Sequence, residues 1–340
     1  MTVQERAAPT GAGFLTNADG LIILTRPEAA KKDTITIKIP DLFISIVGKP
    51  RELNPFLEKT ISTNDWACKV LRFDEKLTRE WVDMKFPFLC ASMVPNSTEQ
   101  PLQAFTEWVS WSIPFDDRID GGDLADDPNG AAEEIIESLA IMDDDYPTID
   151  PEANGVRHMF QKLWWRVSKY APPDERRRHK RLNRDYMLGL LQQIKWLGYK
   201  DRILTVDEYL AFRRPSSGMG PTCVFAEWSV TEANKIPCEV VEHPSVEIFR
   251  DLVIDIVSIA NDIYSCPKDI PNGEGSNIIS VLLRQGYSLQ GAIDEAGKMV
   301  LDSFVTSRYM GNEKEQARTT GLLTFAVKDI EKTARVPQSS

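Results

Sequence analysis

The sequence predicts an all-α protein that folds as a single domain. Its 340 residues, of which 42% are hydrophobic, are enough for a substantial core. After residue 40, apolar residues recur at the helical period, and Pro, Gly, Asn and Asp separate the periodic segments. No internal repeat is visible. We therefore predict helices over residues 64–85, 100–115, 131–143, 152–170, 174–197, 206–213, 221–234, 245–266, 276–285 and 289–305.

The two ends of the chain lack this periodicity. Residues 1–35 mix Gly, Pro, Ala and charged residues, and we expect a flexible tail there. Residues 35–40 alternate like a short strand but stop at a proline, so we expect an extended lead-in. We assign residues 36–310 to the helical domain and residues 311–340 to an atypical polar C-terminal tail.

The charge of the chain limits the class of partner. A formal net charge of -11 argues against nucleic acid as the main partner, because phosphate backbones bind to basic surfaces. The basic stretch over residues 175–184 begins an amphipathic helix, so we predict a solvated helix face there rather than an RNA-binding patch. An acidic protein that binds an anionic substrate must recruit metal cations or local arginines.

Cysteine usage and the absence of targeting signals indicate a reducing compartment. The five cysteines are widely spaced and form no CxxC, so neither a disulfide framework nor a zinc site is predicted. No secretory pattern opens the chain and no segment approaches 18 uninterrupted apolar residues, so we expect a cytoplasmic protein without a membrane span. Esterase, Walker and dinucleotide-binding motifs are absent from the sequence.

Two polar clusters are the most informative feature of the sequence. Both place oxygen-bearing side chains at helical spacing, so the members of each cluster can share one helix face. Such hard oxygen ligands suit Mg²⁺ that carries a diphosphate. The clusters are Asp116, Asp117 and Asp120 in the first, and Asn261, Ser265 and Asp269 in the second.

Either cluster alone is also compatible with a solvated helix, where acidic residues at this spacing are common. The first cluster follows an aromatic-rich amphipathic run, and the second ends the apolar run of residues 251–260. A helix that is apolar nearly all round belongs in a core, so polar residues at its end should face a cavity. The two clusters together therefore predict one site that binds the same ions.

A third segment combines arginines with helix-breaking residues. Arg213 and Arg214 precede Pro215, and glycines follow at positions 218 and 220. An arginine fork can bond two diphosphate oxygens at once. Glycines beside prolines permit a helix to break so that its carbonyl groups face a cavity.

From about residue 39 to about residue 301, the chain resembles class I terpene cyclases of the microbial, single-domain type, especially fungal sesquiterpene synthases. The first cluster matches the aspartate-rich motif of that family, and the second matches its second metal motif, with Asp269 where many members carry Glu. The motif starts, at positions 116 and 261, are 145 residues apart, which suits the family. The resemblance implies a helical bundle around a central apolar cavity.

The same resemblance implies roles for the third segment and its neighbours. Arg214 would sense the diphosphate, with Arg213 as the neighbour that could take this role. Ser217 would act as the linker, and the backbone carbonyl of Gly218 would point at the reacting carbon. Lys268 would add positive charge around the departing anion.

The activity implied is that of a lyase: Mg²⁺-dependent ionisation and cyclisation of an allylic prenyl diphosphate, most simply farnesyl diphosphate, to a sesquiterpene. Three Mg²⁺ ions would be held by Asp116, Asn261, Ser265 and Asp269. Asp117 and Asp120 would be ligands, or would act in the outer shell or pair with arginine. The resemblance also makes a homodimer plausible.

A hydrocarbon cation must be shielded from water, so we expect an apolar, aromatic pocket. A ring face over a cation offers roughly 0.5 to 2 kcal/mol. Ordinary core packing is the alternative for each of these residues alone. The candidate lining residues are Phe86, Phe88, Trp111, Phe115, Phe225 and Tyr264.

Two departures from the family pattern are visible. Pro267 lies inside the second cluster, where it is expected to kink or end the helix before Asp269. Arg308 and Tyr309 come only 47 residues after Asn261, whereas the family places such a pair roughly eighty or more residues after that motif. Arg308 is therefore a poor candidate for a diphosphate contact.

Two alternatives remain at this point. A prenyl chain elongase also ionises an allylic diphosphate, but that class carries two aspartate-rich motifs, whereas the second cluster here is Asn, Ser and Asp. The shortened C-terminus also allows a helical interaction protein or a catalytically impaired relative. Metal-dependent release of diphosphate discriminates among the three.

Overall fold

The computed structural model describes residues 21–24, 35–42, 52–120, 122–197, 202–234, 236–270 and 275–310. Helices dominate these ranges, which confirms the predicted all-α class. In chain order the elements are β1 (Leu21–Leu24), β2 (Ile35–Lys38), α1 (Leu57–Thr60), α2 (Ser62–Val70), α3 (Glu75–Asp83), α4 (Phe86–Met93), α5 (Glu99–Asp120), α6 (Pro128–Ala140), α7 (Gly155–Tyr170), α8 (Pro173–Leu197), α9 (Val206–Ser216), α10 (Met219–Asn234), α11 (Cys238–Val241), α12 (Pro244–Asp269), α13 (Ile278–Arg284) and α14 (Leu289–Met310).

The predicted helices are present, with one division. The segment predicted as one helix over residues 64–85 is two helices, because the chain turns at Arg72, whose φ is 56°, and restarts at Asp74. The Asp74 carboxylate caps α3 by accepting a 2.8 Å hydrogen bond from the backbone N–H of Leu77. The short helices α1, α4 and α11 were not predicted.

The N-terminal prediction needs correction. Residues 35–38, predicted as an extended lead-in, are extended and form a paired strand, because β1 supplies antiparallel partners with Leu21 opposite Lys38 and Leu24 opposite Ile35. Alternation in β2 buries Ile37, which is 2% exposed. β1 lies within the predicted tail. The rest of that tail, residues 1–20 and 25–34, and the predicted C-terminal tail, residues 311–340, lie outside the described residues.

Two groups of buried side chains form the core. The first joins α2 to α8 with α10, and the second joins β2, α9 and α12 to α14. Helix α5 contributes Trp111 and Phe115 to the first group, whereas α12 contributes Ile259 and Ile263 to the second. The ends of α5 and α12 carry the two polar clusters, so the candidate site draws on both groups.

A glycine allows close contact between α8 and α9. A Cβ atom at Gly189 would lie 2.7 Å from the Pro215 Cβ and from the Ser216 backbone nitrogen. Neither Pro215 nor Ser216 could move away from such a Cβ atom without a shift of the backbone. The absence of a side chain at this point of α8 therefore sets the position of the segment that carries both candidate arginines.

No helix within these ranges combines the length and the apolar character that crossing a lipid bilayer requires.

The prediction of a solvated basic face on α8 is wrong for Arg178. Its side chain is 2% exposed, pairs with Glu175 and lies 3.6 Å from the Glu227 carboxylate on α10. Arg250 of α12 donates to the same Glu227 at 2.6 Å. The prediction failed because a charged residue can be buried when opposite charges from neighbouring helices surround it. This ionic group ties α8, α10 and α12 together.

His179, the next residue, is also buried. Its ring is 4.5 Å from the Phe225 ring and 5.7 Å from the Trp228 ring, measured between centroids. Neither ring nitrogen has a hydrogen-bond partner in the described part of the chain. Burial, with a smaller contribution from the Arg178 charge, lowers the pKa of His179 to about 3. The imidazole is therefore neutral at neutral pH.

The pKa of His179 gives the protein a specific dependence of stability on pH. The unfolded chain takes up a proton near the ordinary value of 6.5, whereas the folded protein does so only near 3. Between these values the free energy of unfolding should fall by about 1.4 kcal/mol for each pH unit of acidification. We expect His179→Phe to lose about 2 kcal/mol less than the wild type between pH 7 and pH 5, measured by urea unfolding. Equal losses in the two proteins would contradict a neutral, buried imidazole.

Candidate active site

The first cluster lies on the last turn of α5. Trp111 and Phe115 fix this end of the helix, since both are fully buried with ring centroids 4.8 Å apart. Asp116 is half-buried and accepts a 3.4 Å hydrogen bond from the Tyr186 hydroxyl on α8. Asp120 belongs to α5, but its side chain lies outside those described.

Asp117 links the first cluster to the second. Its side chain reaches solvent, yet the protein around it desolvates the carboxylate enough to raise its pKa, while the charge of Lys268 acts in the opposite direction. Lys268 lies on the last turn of α12. The far ends of α5 and α12 are therefore within electrostatic reach of each other.

The second cluster lies on an unbroken helical end. Helix α12 runs through Pro267 to Asp269, and the Ser265 hydroxyl donates to the Asp269 carboxylate one turn further on. The helix does not end before Asp269, which Pro267 had led us to consider. A proline removes one backbone donor, and the helix tolerates that loss within its last turn. Asn261 is exposed at this end, whereas Asp269 is 6% exposed.

Arg213 lies between the two clusters. It donates hydrogen bonds to the Asp262 carboxylate at 2.9 Å and to the Asn261 side-chain oxygen at 3.3 Å. Burial lowers its pKa, but the charges of Asp262, Tyr209 and Asp116 raise it by more, so the net shift is upward. The guanidinium thus contacts Asn261 of the second cluster and is within electrostatic reach of Asp116 in the first.

Asp262 anchors this arginine and was missed by sequence reasoning. Its buried carboxylate accepts hydrogen bonds from Arg213, from the Tyr209 hydroxyl and from the Ile278 backbone N–H at 2.7 Å. Burial raises the pKa of Asp262, whereas Arg213 and the hydrogen bonds lower it. Only its position beside Asn261 could have pointed to it, since its three partners come from distant segments.

Arg214 takes a different partner. It forms a bidentate pair with Asp255 of α12, at 2.7 and 2.8 Å, and lies 3.7 Å from Asp251. Asp255 precedes Asn261 by more than one helical turn. The side chain of Arg214 is 35% exposed. Its role as the diphosphate sensor stays a prediction.

Ser217 and Gly218 form the junction between α9 and α10. Gly218 has φ of +71°, and a Cβ there would lie 3.0 Å from Cη2 of Trp108. Its carbonyl oxygen accepts hydrogen bonds from the backbone N–H and the hydroxyl of Thr222, at 3.3 and 3.1 Å. The Ser217 hydroxyl donates to the Arg214 carbonyl at 3.0 Å. In this conformation the Gly218 carbonyl serves α10, and its predicted role towards a substrate stays a prediction.

Four of the six candidate lining residues belong to the first core group, namely Phe86, Trp111, Phe115 and Phe225. Trp111 and Phe115 lie together, and Phe225 stacks on Phe105 at 5.3 Å. Phe86 packs edge-on against Trp81 at 5.0 Å, and Phe88 is half-buried. Tyr264 is 41% exposed. Trp108 and Tyr186 line the junction at Gly218, and Tyr186 was missed because it stands in a basic helix.

The oxygen donors fit a hard divalent cation. Asp116, Asn261, Ser265 and Asp269 offer carboxylate, amide and hydroxyl oxygens, with no thiolate or imidazole among them. Among the described side chains, no three His, Cys, Asp or Glu residues are close enough together to hold a metal alone. Asn and Ser oxygens would therefore have to complete any such site.

Arg308 contacts a residue of its own helix, α14. The Arg308 guanidinium lies 5.6 Å from the centroid of the Phe304 ring on its own helix. The side chain of Tyr309 lies outside those described. Nothing in these contacts connects Arg308 with the two clusters.

Known proteins resemble this chain in sequence and fold. Residues 107–304 match the family model described as terpene synthase family 2, C-terminal metal binding. Terpene cyclase 4 of Gibberella fujikuroi is 34% identical over 272 residues, which cover 79% of this chain and 73% of that protein. Silphinene synthase of Penicillium patulum is 31% identical over 274 residues, which cover 78% and 72%.

A solved structure shares the fold. Hedycaryol synthase in complex with nerolidol superposes with a TM-score of 0.69 at 18% identity, over 88% of this chain and 98% of that one. At this identity the likeness supports the helical architecture alone. The family match and the two fungal relatives carry the assignment further. The chain belongs to terpene synthase family 2 and is a class I terpene synthase, as its two motifs predicted.

Proposed function

We propose that this protein ionises and cyclises a linear allylic prenyl diphosphate, farnesyl diphosphate, to a sesquiterpene and releases diphosphate. The observation that carries the proposal is Arg213, whose side chain contacts Asn261 of the second motif and its neighbour Asp262, and feels the charge of Asp116 in the first motif. Family membership and the fungal relatives named as terpene cyclase and silphinene synthase support it. An elongase is not favoured, because these relatives are cyclases.

The oxygen ligands would hold divalent cations, and we propose Mg²⁺, three ions in number. When bound, the cations would neutralise the diphosphate and stabilise it as a leaving group. Asp116 would contribute from α5, and Asn261, Ser265 and Asp269 from α12. Asp117 and Asp120 would be further ligands or would act from the outer shell.

The basic residues would bind the anion. Arg214 is the predicted sensor, and it would have to leave Asp255 to reach the second cluster. Arg213 is the alternative, since it already contacts Asn261. Lys268, whose charge acts on Asp117, would add positive charge at the same end of α12.

The aromatic residues would shield the hydrocarbon cation from water. Trp108 and Tyr186 lie beside the junction at Gly218, and Trp111 and Phe115 pack behind them. Ring faces can stabilise a nearby cation by roughly 0.5 to 2 kcal/mol each. A cytoplasmic location and a homodimer stay predictions beside this proposal.

The proposed activity has a direct assay. Purified protein incubated with farnesyl diphosphate and Mg²⁺ should yield a cyclic hydrocarbon or alcohol, detected by gas chromatography with mass spectrometry. Asp116→Asn and Asn261→Ala should each lower the rate by more than the 10- to 100-fold typical of residues that only support a metal ligand. Asp83→Asn, at an exposed position on α3, is the matched control and should retain activity.

Other outcomes of this assay separate the alternatives. Longer prenyl diphosphates as products would favour the elongase. Farnesyl diphosphate that survives with Mg²⁺ would favour the catalytically impaired relative.

The proposed arrangement needs Asp262 as the support of Arg213. Asp262→Ala would leave the half-buried Arg213, the Tyr209 hydroxyl and the Ile278 N–H without their shared acceptor, and should lower the free energy of unfolding by about 3–5 kcal/mol. Asp255→Ala is the matched control on the same helix and should cost less, because Arg214 is 35% exposed and water can solvate it. Denaturant unfolding measures both. Equal losses would contradict the special position of Asp262.

A further inference from the structure

Asn277 contacts two of the predicted metal ligands although it lies outside both motifs. Its side-chain nitrogen is 2.9 Å from the Asp269 carboxylate and 3.2 Å from the Ser265 hydroxyl. From this juxtaposition we propose that Asn277 is a positioning residue, which fixes Ser265 and Asp269 in the arrangement that binds divalent cations. The inference rests on the proposed function of the second cluster.

Asn277 is itself held firmly. It is the N-cap of α13, and its side-chain oxygen accepts a 2.8 Å hydrogen bond from the Ile279 backbone N–H. Its side chain is buried, with 1% of the residue exposed. Since the oxygen is committed to the cap, the two amide hydrogens must point the other way, towards α12.

Those two hydrogens meet three acceptors on α12. The nitrogen lies 2.8 Å from the Asp262 backbone carbonyl, in addition to its contacts with Ser265 and Asp269. One hydrogen can serve the carbonyl, and the other can be shared between the hydroxyl and the carboxylate. The Asn277 amide therefore contacts three residues of α12 at once, namely Asp262, Ser265 and Asp269.

The hydrogen bonds from Asn277 and Ser265 orient the Asp269 carboxylate. Both the Asn277 amide and the Ser265 hydroxyl donate to the same oxygen, Oδ2, so neither of these bonds uses Oδ1. A carboxylate held through one oxygen can present the other in a fixed direction. A neutral amide also suits this task better than lysine or arginine would, because it adds no positive charge that would repel a cation.

Asn277 and Ile278 both donate hydrogen bonds to Asp262, which fixes α13 against α12. Asp262 accepts a 2.7 Å hydrogen bond from the Ile278 N–H, while its own carbonyl accepts from Asn277. Ile278 and Ile279 are buried in the second core group behind this contact. The end of α12 that carries the predicted ligands is therefore held by α13, which is packed in the core, rather than by a solvent-exposed side chain.

The chain offers a matched control for the capping role. Asn154 is the N-cap of α7, a helix other than α12 and α13, and its side-chain oxygen accepts a 2.9 Å hydrogen bond from the Arg157 N–H. Serine caps helices about as well as asparagine. Asn277→Ser and Asn154→Ser thus both retain a cap, and only Asn277→Ser loses amide donors to the second motif.

The test measures cation binding without turnover. Mn²⁺ binding to the full chain in the presence of inorganic diphosphate is followed by electron paramagnetic resonance. We expect Asn277→Ser to weaken Mn²⁺ binding about tenfold, the size of effect typical of a residue that supports a metal ligand. Asn154→Ser should bind Mn²⁺ as the wild type does. Circular dichroism checks folding, and Asn277→Thr is a second variant that also retains a capping hydroxyl.

A double-mutant cycle separates positioning from general stability. If Asn277 acts through Asp269, then Asn277→Ser should weaken Mn²⁺ binding much less in an Asp269→Asn background than in the wild type. Unchanged Mn²⁺ affinity in Asn277→Ser, or an equal effect in both backgrounds, would overturn the inference and leave the proposed function standing. A wild type that binds no Mn²⁺ with diphosphate would overturn both.

Discussion

The candidate site depends on one buried carboxylate. Asp262 of α12 joins three helices. Its partners Tyr209 and Arg213 lie on α9, and its partner Ile278 begins α13. A buried charge is costly unless paired and hydrogen-bonded, so each of these partners is also fixed by the need to satisfy it. Arg213 is directed between the motifs, and the start of α13 is directed at the end of α12. The positions of Arg213 and of the start of α13 relative to α12 follow from this requirement.

Charge at the site is only partly balanced. Carboxylates that approach one another without a counter-charge raise the free energy of the folded state. Arg213 and Lys268 offset part of this repulsion, since Asp116 and Asp262 act on the first and the second acts on Asp117. In a chain with a net charge of -11, this balance leaves an electronegative end on α5 and α12. This electronegative end of α5 and α12 favours the binding of cations first and of an anion afterwards.

The sequence sufficed for the elements and the motifs but not for the contacts. Helical periodicity located α5 and α12, and spacing on those helices predicted that Asp116 and Asn261 belong to one site. The partner of Arg213 could not be predicted, because the pairing of α9 with α12 depends on how whole helices pack. The burial of Arg178 and His179 was missed for the same reason, since a local basic pattern does not reveal the Glu227 and Phe225 side chains that α10 brings to it. The position of Asn277 directly before Ile278 and Ile279 is typical of a helix N-cap, but the sequence does not indicate that its side chain contacts Asp269.

The glycine on α8 restricts how this enzyme can change. Any side chain at position 189 would press on Pro215 and Ser216, the residues directly after Arg214 and just before the Gly218 junction. Pressure there would displace the arginine segment while leaving every motif residue intact. Substitutions at a site that no substrate touches could therefore silence or redirect the chemistry, and a survey of motif residues alone would judge such a sequence to be active.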